Sequence, residues 1–231
     1  GRKQKAESRE SKVVTPEMLS IGSLICFALA AAAAIGGFRY EALRHPIWQF
    51  GFVAAAVLLK TSSIGLTCAH DSSHFFNSPS EIAGLFAWAL GASHLVGLSI
   101  SGARSLGAVI LPFVVLLMIL SQGLSRETID PGISGRTFAA HITSAFLGYG
   151  LFLTACGASV LYLEQARLMK RKAFGLIFRD LPSLERLDRL AIVCAWLGLA
   201  VFTIAIVTGA MMASKLDKPF WLEPKYLSAQ V

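Results

Sequence analysis

The stretch FAAHITSAFLGYGLFLTACGASVLYLEQARLMKRKAFGLIFRDLPSLERLDRLAIVCAWLGLAVFTIAIVTGAMMA, Phe138 to Ala213, decides the fold. Two long apolar segments flank a basic, amphipathic elbow, Arg167 to Leu187. Each segment exceeds the roughly twenty residues a helix needs to cross a hydrocarbon core of about 30 Å. In lipid the backbone must satisfy its own hydrogen bonds, so both are expected as continuous helices. His141 stands one turn inside the first segment. An ionisable side chain in such a helix is costly and marks a functional candidate.

The rest of the chain extends the same pattern. Hydrophobic residues make up 55% of the 231 residues and charged residues 15%, with a mean hydropathy of +0.62. Soluble domains carry roughly 25% charged residues. The expected fold is therefore all-α, a polytopic membrane helix bundle of about six transmembrane helices. The spans read as about Leu19–Phe38, Gln49–Cys68, Glu81–Leu98, Leu106–Gln122, Phe138–Leu163 and Leu190–Ala213. Pro112 lies inside the fourth and is expected to kink it. Three regions follow: a polar N-terminal tail (1–17), the transmembrane bundle (18–213) and a C-terminal tail (214–231). Gly1 rather than methionine opens the chain, so the start is expected to be processed or incomplete.

Charge sets the expected orientation. The formal net charge is +7. The basic residues sit in tails and loops, where they meet anionic headgroups, so no nucleic acid partner is expected. Arg39, Arg44, Arg104 and seven residues of the elbow region (Arg167, Lys170, Arg171, Lys172, Arg179, Arg186, Arg189) fall on one side. In the loops of the other side only Arg126 and Arg136 occur, and Lys215, Lys218 and Lys225 of the C-terminal tail decide little. The positive-inside rule then makes the elbow, 164–189, cytoplasmic. Residues 69–80 and 214–231 go to the outer side of a bacterial inner or organellar membrane. With six spans the N-terminal tail is placed outside too, although Arg2, Lys3, Lys5, Arg9 and Lys12 favour the inside by the same rule. A re-entrant or missing segment near the N-terminus would reconcile the two. The elbow alternates basic residues with Met169, Phe174, Leu176, Ile177 and Phe178, the pattern of a helix lying in the interface. Ser183 or Asp180 is expected to cap the helix that follows.

Other side chains are candidates for chemistry. Imidazole is the usual nitrogen ligand for haem iron or a metal, which puts His141 first and His94, in the third span, second. The two are expected at different depths and so not on one iron. Each also has a plain reading as a hydrogen-bonded interhelical histidine. Lys60 lies well inside the second span. It can pair with a carboxylate, cap carbonyls, or approach a propionate or headgroup; Thr61, Ser62 and Ser63 suggest that its side of the helix faces protein. His70 and His74, with Cys68 and Asp71 nearby, could supply metal ligands. The four cysteines, Cys26, Cys68, Cys156 and Cys194, form no CxxC pair and read as buried small hydrophobes. Gly148, Gly150 and Gly209 suit close helix contacts. No P-loop, GxSxG or HExxH is present, so soluble-type hydrolase or kinase chemistry has no support.

The stretch also resembles a known family. His141-Ile142, Phe146-Leu147-Gly148-Tyr149, Ser159 to Gln165, Lys170-Arg171-Lys172, Leu181 to Leu190 and Thr208-Gly209-Ala210 together are similar to cytochrome c assembly proteins of the CcsA/HemX type. Phe76 to Trp88 and Leu106 to Pro112 extend the likeness upstream, so it covers most of residues 70–225. The resemblance implies a multispan protein that binds haem, here haem b, and presents it on the outer face for attachment to apocytochrome c. Some members instead affect haem biosynthesis. His141 matches the first of the family's external histidines. Trp221 is what remains, with Phe220 and Glu223-Pro224-Lys225, of a tryptophan-rich outer segment. The family's last helices and its second external histidine would lie beyond Val231. The resemblance thus leaves two expectations: a haem holder with His141 as ligand, or an accessory subunit of a larger respiratory or photosynthetic membrane complex that has lost the haem function. The partners implied are the lipid bilayer, other membrane subunits and apocytochrome c.

Overall fold

The computed structural model describes residues 15–40, 45–70, 78–101, 104–125, 136–172 and 182–214. They form six helices: α1 (Pro16–Gly36), α2 (Pro46–His70), α3 (Pro79–Ser101), α4 (Arg104–Gly123), α5 (Arg136–Lys170) and α6 (Leu184–Ala213). All six are long and apolar enough to cross a membrane, and no strand occurs among the described residues. The protein is an integral membrane helix bundle. For orientation, the first end is the one where α1, α3 and α5 begin; the second end is where α2, α4 and α6 begin.

Local sequence explains the helix limits. Pro16 opens α1 at the position where its missing N–H costs nothing, and the Thr15 hydroxyl accepts from Met18 N at 3.3 Å. Ser78 does the same for Glu81 N at 3.3 Å in α3. Ser183 occupies the N-cap of α6, but its hydroxyl makes no capping bond; its carbonyl accepts from Arg186 N and Leu187 N instead. Pro112 sits within α4, which continues past it to Gly123. α5 ends where Lys172 takes a left-handed conformation (φ 53°) and its N–H caps the Met169 carbonyl.

The last two helices are longer than their apolar spans. α5 has 35 residues and α6 has 30. At 1.5 Å per residue they run about 52 and 45 Å, well beyond a hydrocarbon core of about 30 Å. Both ends of the elbow are therefore helix: Glu164–Lys170 and Leu184–Arg189 continue the α5 and α6 axes at the second end. Strong helix formers fill the first of these. Exposed Glu164–Arg167 and Glu185–Arg189 pairs line the extension, consistent with a wet surface there. The remainder of the elbow, 173–181, lies outside the described residues.

Packing divides the helices into two groups. α1 packs on α2 and α4, and α3 packs on α4 and α2, which closes a four-helix ring. α5 lies outside this ring against α3, and α6 packs chiefly on α5. Lipid offers no hydrophobic drive between helices, so close approach depends on small residues. Phe27 is fully buried against Gly91, where a Cβ would lie 2.5 Å from its ring. Two glycines seat α5. A Cβ on Gly150 would stand 3.0 Å from the Ala89 carbonyl oxygen of α3, and one on Gly148 would stand 3.0 Å from Phe202 Cβ of α6. The glycines marked in the sequence thus serve opposite faces of one helix.

The ring is fastened near both ends by polar side chains. Near the first end, Lys60 Nζ donates to Ser20 Oγ at 3.0 Å, and so does Gln122 Nε2 at 3.0 Å. Ser63 donates to the Pro16 carbonyl, and Ser80 to the Ser121 carbonyl. Of the polar run after Lys60, Ser63 faces protein and Thr61 accepts from the Trp88 indole at 2.9 Å, whereas Ser62 is exposed and bonds its own helix. Toward the second end, Gln49 Nε2 lies 3.3 Å from His94 Nε2 and 3.4 Å from the Arg104 carbonyl. A Cβ on Gly107 would overlap that amide and lie 2.9 Å from His94 Nε2. Gly107→Ala is expected to displace Gln49 and leave buried polar atoms unpaired. The expected cost is about 1–3 kcal/mol, read as a lower midpoint of thermal unfolding in detergent.

The cysteines correct one expectation. Cys194 is buried and Cys26 and Cys68 are partly buried, but Cys156 is exposed on α5. A small apolar side chain is at home on a lipid-facing surface, so burial does not follow from its type.

Candidate functional site

The chemistry-bearing feature of the described residues is a partly open cavity of about 360 Å³ near the first end. It lies between α3, α5 and α6. Ile82 comes from α3; His141, Ile142, Ala145, Phe146 and Tyr149 from α5; Phe202, Ala205 and Ile206 from α6. The α5 set follows helical spacing, since residues 141, 145 and 149 fall on one stripe and 142 and 146 beside it. Aromatic contacts hold the walls: Phe86 and Phe146 have ring centroids 5.1 Å apart, and Tyr149 and Phe202 5.0 Å.

His141 is the cavity's one titratable imidazole, and its ring is held. Nδ1 lies 2.8 Å from the Ala205 carbonyl oxygen of α6. Nε2 makes no hydrogen bond among the described residues. Gly209 lies beneath the ring; a Cβ there would be 2.9 Å from His141 Cε1. The arrangement offers one nitrogen ligand beside flat aromatic and aliphatic walls. That suits a planar, largely apolar molecule carrying a metal, and at 360 Å³ the cavity lies toward the small end of ligand sites.

The other sequence candidates fall elsewhere. His94 is fully buried inside the ring, with Gln49 Nε2 3.3 Å from its Nε2 and Gly107 packed close against it. The α3 residue beside it, Ser93, is level with Gly150, nine residues along α5 from His141. At 1.5 Å per residue the two histidines are thus about 14 Å apart in depth. Lys60 is turned toward Gly84, where a Cβ would lie 2.9 Å from Nζ. Ile82, which lines the cavity, is about 200° around α3 from Gly84, so Lys60 faces the ring and not the cavity. His70 closes α2; its side chain, His74 and Trp221 lie outside the described residues. Among the described residues no group of three or more His, Cys, Asp or Glu could hold a metal ion.

Two parts of the site escaped the sequence reading. The walls Phe146, Tyr149 and Phe202 were not singled out as walls, although the helical stripe from His141 predicts two of them. Ala205, as a backbone acceptor, leaves no mark in the sequence at all.

Comparison with known proteins agrees with the membrane architecture. A family model described as "Cytochrome C assembly protein" matches residues 79–229, which takes in α3 to α6 and the whole cavity. "Protein HemX" of Bacillus subtilis (strain 168) is 33% identical over 92 residues, covering 39% of this chain and 33% of the relative. "Protein HemX" of Brevibacillus brevis is 28% identical over 124 residues, covering 53% of this chain and 46% of the relative. The matched part thus spans between a third and about half the length of these relatives. No solved structure matches. With nearly two thirds of its residues inside the family match, the chain belongs to the cytochrome c assembly protein family.

Proposed function

We propose that this chain is a haem-binding membrane protein in which His141 is an axial ligand, and that it holds haem at the outer face for transfer to apocytochrome c. The observation that carries the reading is the His141 imidazole: one nitrogen is anchored to α6, and the other is left for a ligand in an aromatic cavity. These residues fit the group. Nε2 is a suitable iron ligand, and Phe146, Tyr149 and Phe202 offer faces to a flat macrocycle. A haem bound here would supply an iron centre able to take one protein nitrogen. The chain's own part is to orient the imidazole and to exclude water from one edge of the ligand.

Orientation supports the same reading. His141 sits at the first end, and the basic elbow joins α5 to α6 at the second end. If the elbow is cytoplasmic by the positive-inside rule, the cavity lies toward the outer face. Trp221, which follows α6 in the sequence, is proposed to cover the exposed edge of the ligand.

The test is a spectrum of the chain purified in mild detergent. The wild type is expected to show a reduced b-type haem with Soret and α bands. His141→Ala is expected to lose at least ten-fold in haem occupancy with its far-UV helix signal unchanged. A wild type that binds no added haem would overturn the reading and favour an accessory subunit of a larger membrane complex. Full occupancy in His141→Ala would remove His141 from the ligand role.

A further inference from the structure

The hydrogen bond beneath His141 says more than that the ring is anchored. A carbonyl oxygen can only accept, so Nδ1 must carry the proton of the 2.8 Å bond to Ala205. Nε2 of the neutral ring is then a bare lone pair. Free imidazole side chains prefer the opposite tautomer, with the proton on Nε2, which cannot ligate a metal without losing it. The Ala205 carbonyl therefore selects the tautomer whose Nε2 can ligate.

Two neighbours on α6 govern that bond. Gly209 is one turn beyond Ala205. A Cβ at this position would stand 2.9 Å from His141 Cε1 and 3.1 Å from Nδ1, so any side chain there forces the ring to shift against the carbonyl. Thr208 is the other. Its hydroxyl donates to the Ile204 carbonyl at 2.8 Å and reaches the Ala205 carbonyl at 3.1 Å. Thr208 and His141 therefore both approach the Ala205 carbonyl oxygen.

We propose that Ala205, Gly209 and Thr208 form a tuning seat: the carbonyl fixes His141 as the Nδ1–H tautomer, Gly209 admits the ring, and Thr208 moderates the bond by competing for the same oxygen. The three are positioning residues; none ligates. The proposal rests on His141 being the ligand, but the tautomer is a property of the protein alone. The two ideas therefore fail separately.

The experiment begins without haem. The chain is labelled with [15N]histidine, placed in lipid nanodiscs, and the His141 resonances are assigned by difference from His141→Asn. Nδ1 is expected as the protonated, pyrrole-like nitrogen and Nε2 as the bare, pyridine-like one. The reverse assignment in the wild type overturns the proposal. Gly209→Ala is expected to shift the population toward the Nε2–H form, while Thr208→Val keeps the Nδ1–H form. If Gly209→Ala does not fold, the wild-type assignment and Thr208→Val still decide.

Haem titration supplies the second readout. Gly209→Ala is expected to lose about 10–100-fold in haem affinity, the usual effect of removing a hydrogen bond behind a ligating histidine. The midpoint potential should move in opposite directions in the two variants. Gly209→Ala weakens the bond, makes the ligand less basic and raises the potential. Thr208→Val strengthens the bond and lowers it. Shifts of the same sign would overturn the tuning role, because a general loosening of the site moves both variants alike. The expected tautomer with no haem bound by the wild type would leave the seat standing and overturn only the functional reading.

Discussion

Lys60→Met, with Glu81 left in place, is expected to cost about 1–3 kcal/mol of stability, the scale for leaving a buried polar group without its partner. The ammonium lies among four ring helices. It bonds Ser20 of α1 and fills the space left by Gly84 of α3. Glu81 is the carboxylate within electrostatic range of it. No direct ion pair joins them, and one Glu81 oxygen is buried without a hydrogen-bond partner. Removing the lysine leaves the partly buried Glu81 carboxylate, in the first turn of α3, without its nearby cation. Adding Glu81→Gln to Lys60→Met should therefore restore most of the loss. The measurement is a double-mutant cycle on the midpoint of thermal unfolding in detergent. Costs that simply add would show that the two charges do not act as a pair.

Gly150→Leu should be as damaging, for a steric reason. Even a bare Cβ at this position would stand 2.6 Å from Ser93 Oγ and 3.0 Å from the Ala89 carbonyl oxygen. A backbone carbonyl cannot rotate away, so α5 must move off α3. Overpacking of this kind costs about 3 kcal/mol. It also draws the α5 wall of the cavity away from Ile82, so haem affinity should fall with stability. Gly51→Leu is the control, because nothing lies within 4 Å of a Cβ at Gly51. It should change the unfolding midpoint little. Leucine is the better helix former at both positions, so equal losses at Gly51 and Gly150 would show that the α3–α5 contact is not the cause.

The contrast between those two glycines explains what could be read from the sequence. The spans were legible, because an apolar run of about twenty residues has one physical meaning in a membrane. Their arrangement was not. In lipid an inward and an outward face can be equally apolar, so periodicity carries little information about neighbours. Gly51 and Gly150 look alike in the sequence, yet one is open and the other is wedged against a carbonyl. The elbow read as longer than it is, because charged residues such as Glu164 and Arg167 end a span without ending a helix. His141 stood out because an imidazole in an apolar run has few reasons to be there. His94 stood out for the same reason, and it lies packed in the ring against Gln49. What marks His141 is a cavity formed by residues from three helices, and spacing within one helix does not reveal it.

The packing of α5 and α6 outside the four-helix ring has a consequence for biogenesis. A chain inserted from its N-terminus can close the ring once α4 has entered the bilayer, before α5 has inserted. The ligand pocket cannot exist at that stage. His141 arrives with α5, and the carbonyl that holds it is synthesised more than sixty residues later, in α6. A ribosome stalled between the two would leave a membrane-inserted intermediate with a finished scaffold and an unanchored histidine. Competence for the ligand is thus acquired only when α6 inserts against α5, which keeps a chain without α6 from capturing it.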